Sequence, residues 1–105
     1  MEDYRIDFES LPWEEPLAGA RFKAYRRGGK QLRYVEFSQE LVEPDWCRKA
    51  HLGYILEGRM EIDFSGRVVV FEAGDGLYIP FGEEHKHMAR VPEGVVKLIL
   101  IEEIG

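Results

Sequence analysis

Short apolar runs separated by glycine and proline form the dominant pattern of the chain. The longest stretch free of both residues covers residues 30–43, and most others are shorter than ten residues, which argues against long helices. The runs are rich in valine, isoleucine, tyrosine and phenylalanine, which is the composition of strands. The pattern predicts strands over residues 5–8, 21–26, 31–37, 47–56, 59–64, 67–71, 76–79, 85–90 and 95–101.

Turn signals separate these segments at the spacing expected of a sandwich or barrel. The tightest is Arg27-Gly28-Gly29-Lys30, where two glycines tolerate the positive φ of a two-residue hairpin turn. Residues 32–42 could also place apolar side chains on one face of a helix, but their aromatic and β-branched content favours a strand. We therefore expect a single all-β domain over residues 1–105, with at most one short helical turn.

Two predicted strands are apolar on both faces. Within residues 47–56, alternation places Leu52, Tyr54 and Leu56 on the face opposite His51. A strand with one face in water normally alternates apolar and polar residues, so the outer face of this strand is expected to meet another surface. The simplest such surface is a second copy of the chain. We expect a homodimer whose buried patch centres on Leu52, Tyr54 and Leu56.

Charge and composition narrow the range of partners. Twenty acidic against fourteen basic residues give a formal net charge of -6, which disfavours binding to nucleic acid. No apolar run approaches the roughly 18 residues of a membrane span, and the acid-rich start does not resemble a signal peptide. The single cysteine excludes an intramolecular disulfide. We expect a cytoplasmic protein with a small-molecule partner, no nucleic acid and no membrane.

The second half of the chain carries one ordered motif. From Gly74 to His85 it reads glycine, five residues, Pro80, one residue, Gly82, two residues, histidine. Glycine permits the turn into a strand, proline and the next glycine form a corner, and the histidine opens the following strand. This spacing closely resembles the second characteristic motif of the cupin superfamily. It departs from that motif where the expected asparagine is Ala89.

The first cupin motif is matched in altered form. Counting back from Gly58, His51 stands where the family has a glutamate, and Cys47 and Asp45 stand where it has two histidines. The resemblance covers a core of residues 42–90. It implies a double-stranded β-helix, or jelly-roll barrel, with N-terminal strands over residues 4–37 and a C-terminal strand over residues 95–102. It also implies a metal site in the barrel.

The same residues stand out without the family. Asp45, Cys47 and His51 have the same parity, so a regular strand would place them on one face, and His85 and His87 are likewise two residues apart. Each has a structural alternative, because a lone cysteine or histidine on an apolar strand often only packs in the core. Taken with the motif spacing, they predict a metal held by Cys47, His51 and His85, with His87 as a candidate catalytic proton shuttle.

The predicted ligand set bears on the metal and the function. A thiolate with imidazoles favours zinc, iron or copper as the divalent ion. A barrel pocket with a few convergent polar groups is typical of a small-molecule site. We expect a metal-binding cupin that acts on, or senses, a small organic molecule. The alternative is a non-catalytic binding module without a required metal, and the sequence leaves open which of the two applies.

Overall fold

The computed structural model describes residues 4–104, which form two antiparallel sheets facing each other. The strands are β1 (Glu14–Leu17), β2 (Ala20–Arg27), β3 (Lys30–Ser38), β4 (His51–Glu57), β5 (Arg59–Asp63), β6 (Val68–Glu72), β7 (Gly76–Ile79), β8 (Met88–Arg90) and β9 (Val95–Glu103). Single 3-10 turns cover Phe8–Ser10 and Glu83–His85. The prediction of an all-β barrel of the cupin type is confirmed.

The larger sheet has six strands in the order β1-β2-β3-β9-β4-β7, and the smaller has three in the order β6-β5-β8. The β2–β3 hairpin turns at Gly28 and Gly29, whose φ angles of 60° and 74° are those of the expected tight turn. Residues 32–42, for which a helix was the alternative, lie mostly in β3. There the side chain of Val35 is fully buried.

The core lies between the two sheets, where alternate residues of each strand point inward. On β9 these are Val96, Leu98, Leu100 and Glu102, all buried, and they face inward residues of the smaller sheet such as Met60. The buried apolar cluster consists of Val35, Ile55, Met60, Ile62, Leu77, Ile79, Val91, Val96, Leu98 and Leu100. Burial of these side chains is the main stabilising contribution, at about 1.5–3 kcal/mol for a large apolar side chain.

The N-terminal region differs from the prediction. The strand expected over residues 5–8 is wrong: a 3-10 turn lies at Phe8–Ser10, and the strand in this region is β1, which the pattern did not predict. Lys23 accounts for part of the difference, because its ammonium group donates to the carbonyl oxygens of Phe8 and Glu9 at 3.0 and 3.2 Å. This contact ties the turn to β2.

The strands around the predicted site are shorter than expected. β4 begins at His51, and Cys47 forms an isolated bridge with His87 rather than starting the strand. The segment predicted as a strand over residues 85–90 begins in the 3-10 turn, so β8 starts at Met88. Among residues 4–104, the two helical elements are single turns, and neither has the length or the apolar character to cross a bilayer.

Candidate metal centre

Three potential metal donors converge inside the barrel. The backbones of Cys47 and His87 pair across two neighbouring segments, with N–H···O distances of 2.8 and 2.9 Å. His51 opens β4 four residues after Cys47. One donor atom from each of the three side chains lies within 4.8 Å of the other two. Sulfur and imidazole nitrogen at this separation are the ligand types of zinc, iron and copper sites.

His51 links this cluster to a buried acid. Its Nε2 lies 3.6 Å from Cys47 Sγ, and its Nδ1 lies 2.7 Å from Glu102 Oε2. Arg33 donates to both oxygens of the same carboxylate, at 2.7 and 2.5 Å, and Gln31 donates at 2.6 Å. The Glu102 side chain is 8% exposed, so a buried charge is paired on several sides, as its desolvation requires.

The pKa values follow these contacts. The hydrogen bonds from His51 and His87 lower the pKa of the Cys47 thiol to about 5, against the opposing effect of burial. Burial alone would lower the pKa of His51, but its bonds to Cys47 and Glu102 outweigh it and raise this pKa to about 9. Burial would raise the pKa of Glu102, yet its bonds to His51 and Arg33 lower it to about 2. Without a metal, the favoured state is a thiolate beside an imidazolium.

His87 is the most buried of the three donors, at 4% exposure. Its Nδ1 lies 3.0 Å from the carbonyl oxygen of His85, an acceptor, so Nδ1 donates this hydrogen bond. The ring contacts His51 edge to face, with ring centroids 5.2 Å apart, and it also packs against Phe64. Both imidazoles are therefore held by Nδ1 and direct Nε2 toward Cys47.

The structure does not bring His85 into this group. His85 ends the 3-10 turn, where its N–H donates to Gly82 at 3.2 Å, and its carbonyl rather than its ring contacts His87. The prediction assumed that the histidine begins the strand and points inward. Because His85 lies in a 3-10 turn, strand alternation does not set the direction of its side chain, and His87 is the residue that pairs with Cys47. Asp45 is exposed, and its carboxylate accepts from the backbone N–H of Trp46.

Two acidic residues of the site were not singled out from the sequence. Glu102 was placed at the end of the last strand, although it continues the inward series of Leu98 and Leu100, and that parity is a signal that could have identified it. Glu43 lies between β3 and β4, half-buried, and its Oε2 accepts from the N–H of Ala89 at 2.6 Å. Burial raises the pKa of Glu43. The apolar and polar pattern of the sequence does not identify Glu43 as a site residue.

An open cavity of about 1240 Å³ lies beside these groups, and it extends from the barrel interior to exposed residues such as Leu52 and Tyr78. Its walls are mainly apolar, and they include Phe22, Phe37, Leu41, Met60, Leu98 and Leu100. Seven of its polar side chains surround the candidate metal centre: Gln31, Arg33, Glu43, Cys47, His51, His87 and Glu102. Arg26, Lys30, Lys49 and Glu103 also line the cavity. An apolar cavity with a few oriented polar groups is the usual form of a small-molecule site.

Comparisons with known proteins agree with this architecture. The family model described as a cupin domain matches residues 43–102. An RmlC-like cupin from Shewanella frigidimarina is 17% identical, with a TM-score of 0.76 over 99% of this chain and 93% of that chain. A putative ethanolamine utilization protein Q from Salmonella typhimurium is 15% identical, with a TM-score of 0.72 over 94% and 84% of the two chains.

A third similar structure is the hydroxypropylphosphonic acid epoxidase from S. wedmorenis, 14% identical, with a TM-score of 0.73 over 97% of this chain and 61% of that chain. At these identities the likeness concerns the fold. A search of curated proteins found no match.

Proposed function

This chain belongs to the cupin family, and from that premise we propose that Cys47, His51 and His87 hold one divalent transition-metal ion that contacts a small organic molecule in the barrel. The observation that carries the proposal is the way the two imidazoles are held. Glu102 engages Nδ1 of His51, and the His85 carbonyl engages Nδ1 of His87. Histidine ligands of metals characteristically donate their second ring N–H to a carboxylate or a backbone carbonyl.

The donor set also fits a metal ion chemically. One sulfur and two nitrogens favour zinc, iron or copper over magnesium or manganese, which prefer oxygen. The three side chains leave a coordination position for a substrate or water, as catalytic sites require. An ion bound here would act as a Lewis acid on an oxygen of the bound molecule. Glu102 orients His51, the His85 carbonyl orients His87, and the walls of the cavity around them are mainly apolar.

The role of His87 changes in this proposal. The sequence predicted it as a proton shuttle beside a ligand His85, whereas the proposed ligand is His87. The support is that His87, not His85, belongs to the group of three converging donors and is buried beside His51. The contribution of His85 is its backbone carbonyl, which any residue at this position could supply.

Elemental analysis tests the metal site. The protein is stripped with a chelator, loaded with zinc, iron or cobalt, freed of excess metal and analysed for metal per chain. Close to one ion per chain is expected for the native sequence. His87→Ala should lose the ion, and Cys47→Ser should weaken binding and shift it away from soft metals. His85→Ala is the matched control and should keep the ion. Full retention by His87→Ala and Cys47→Ser would overturn the proposal.

A second candidate has one observation in its favour. Cys47 Sγ and His51 Nε2 contact each other directly at 3.6 Å, so these two donors are mutually satisfied without an ion. This contact favours a binding module whose cavity holds a small molecule and needs no metal. Binding of small-molecule ligands that is equal in chelator-stripped and metal-loaded protein would support this candidate over the first.

A further inference from the structure

Glu43 has one carboxylate oxygen fixed and the other directed to no described partner. Its Oε2 accepts a hydrogen bond from the Ala89 N–H at 2.6 Å. Among residues 4–104, this is the one hydrogen bond found for the Glu43 side chain. The residue lines the cavity together with Cys47 and His87. The second oxygen has no hydrogen-bond partner among residues 4–104. Every fully buried side-chain oxygen or nitrogen in that range has a partner, so this oxygen is not fully buried and can be reached from the cavity that Glu43 lines.

The Glu43 carboxylate is withdrawn in part from bulk water. The residue is half-buried, and Leu41, two residues earlier, is 5% exposed. A half-buried carboxylate with a free oxygen in such a place is stabilised by a hydrogen-bond donor. His87 and His51 both act on the charge of Glu43, but His87 is engaged by the His85 carbonyl, and His51 by Cys47 and Glu102. The free oxygen of Glu43 is therefore open to a donor from a molecule in the cavity.

We infer that Glu43 accepts a hydrogen bond from the molecule bound in the cavity, and that this molecule carries a hydroxyl or an N–H group next to the atom that meets the ion. The inference rests on the proposed function for the position of the ion, not for the hydrogen bond itself. The ligand class is a small, mainly apolar molecule with such a donor and with no negative charge at the end beside Glu43. A second negative charge beside Glu43 is disfavoured by repulsion.

Two probes of similar size separate these features. Acetohydroxamic acid keeps an N–H donor when its two oxygens bind zinc, whereas acetate has no donor. Both are titrated by calorimetry into zinc-loaded native protein and into Glu43→Gln, which keeps the shape and removes the charge. Glu40→Gln, an exposed residue of the same segment, is the matched control. Zinc content is measured in each protein before the titration.

Glu43→Gln should lower the affinity for hydroxamate by roughly tenfold to a hundredfold, the range for a hydrogen bond to a charged group. It should not lower the affinity for acetate. Glu40→Gln should change neither. An unchanged hydroxamate affinity in Glu43→Gln, or a preference of the native protein for acetate, would overturn the inference.

The Ala89 amide gives a readout that does not depend on the metal. A donor bound at the second oxygen of Glu43 changes the hydrogen bond at the first, so hydroxamate should move the Ala89 ¹H–¹⁵N signal of the native protein but not of Glu43→Gln. Should the native chain take up no zinc, the metal proposal fails and the same titration is read on the metal-free protein. If hydroxamate does not shift the Ala89 signal in either the zinc-loaded or the metal-free native protein, the role of Glu43 is refuted.

Discussion

The Glu102 carboxylate and the His51 imidazole lie 2.7 Å apart, and this contact determines which nitrogen of His51 faces Cys47. Glu102 extends the inward face of β9 by one position beyond Leu100, and Arg33 on β3 holds it there from the neighbouring strand. Three strands of the larger sheet thus combine to present Nε2 of His51 to the cavity. The orientation of the imidazole is a property of the sheet register rather than of the loop that carries Cys47.

Glu102→Gln should lower the affinity for the metal ion without abolishing binding. The amide can still accept a hydrogen bond from His51, but it lacks the charge that makes the imidazole a better ligand. Loss of such a partner typically costs about 10- to 100-fold in metal affinity. Competition with a chromogenic chelator measures the affinity. Glu103→Gln, the exposed neighbour, is the control and should leave it unchanged, and an equal effect of both variants would contradict the role given to Glu102.

The same residue predicts how the stability of the metal-free protein depends on pH. The folded pKa of Glu102 is lowered from 4.5 to about 2, so its stabilising contribution is full above 4.5 and is lost as the pH falls toward 2. The pKa of His51 is raised from 6.5 to about 9, so its contribution is full below 6.5 and is lost as the pH rises toward 9.

The stability difference between the native protein and Glu102→Gln should therefore be greatest between these limits, near pH 5 to 6, and smaller on both sides. Removing one partner of a buried ion pair costs about 3 kcal/mol, which sets the expected maximum. Urea unfolding at several pH values measures it. A difference that stays constant from acid to alkaline pH would show that the ionised pair is not formed.

Sequence reasoning succeeded where the signal was local. The hairpin at Gly28 and Gly29 needs two positive φ angles that glycine supplies, and the turn lies where it was expected. The inward parity of Val96 and Leu98 likewise follows from strict alternation along one strand. The motif around Pro80 identified the family, because its glycines and proline fix a corner of the barrel backbone.

The site was less predictable because its geometry depends on pairing between distant segments. Spacing alone could not show that a 3-10 turn ends at His85 and moves the inward position to His87. The contact of Glu43 with Ala89 joins residues 46 positions apart, and no periodic pattern encodes it. The proposed ligand set thus follows from the register of Cys47 against His87, which only the three-dimensional structure shows.

Gly53 provides a test of how tightly β4 packs against β9. A Cβ built at this position would overlap the carbonyl oxygen of Ile99 and the side chain of Leu100, although its backbone φ is ordinary. Gly53→Ala should cost at least about 2 kcal/mol in unfolding free energy, since rigid backbone cannot move away. Gly76→Ala is the matched control on the adjoining strand, where the nearest atom lies 3.8 Å away. Similar urea midpoints for the two variants would contradict the close approach.

The outer face of the larger sheet keeps the apolar surface on which the homodimer prediction was based. Leu52, Tyr54 and Leu56 are each about half exposed, at 52%, 49% and 44%. Leu52 lies beside Tyr78 on β7 and Ile101 on β9 in the sheet register, and both of these side chains are also exposed. The patch is thus continuous over three strands, which is more than isolated apolar residues on a monomer surface provide.

We expect this patch to join two copies of the chain around a two-fold axis, so that the same residues meet across the interface. Leu52→Glu places a charge at its centre and should convert a dimer into a monomer, because two such charges would lie close together away from water. Val70→Glu is the matched control: Val70 is an exposed aliphatic residue on β6 of the other sheet, so its replacement should leave the assembly unchanged. Light scattering over a wide concentration range gives the mass. A native protein that has the mass of one chain throughout, or a dimer that Val70→Glu dissociates as readily as Leu52→Glu, would refute this interface.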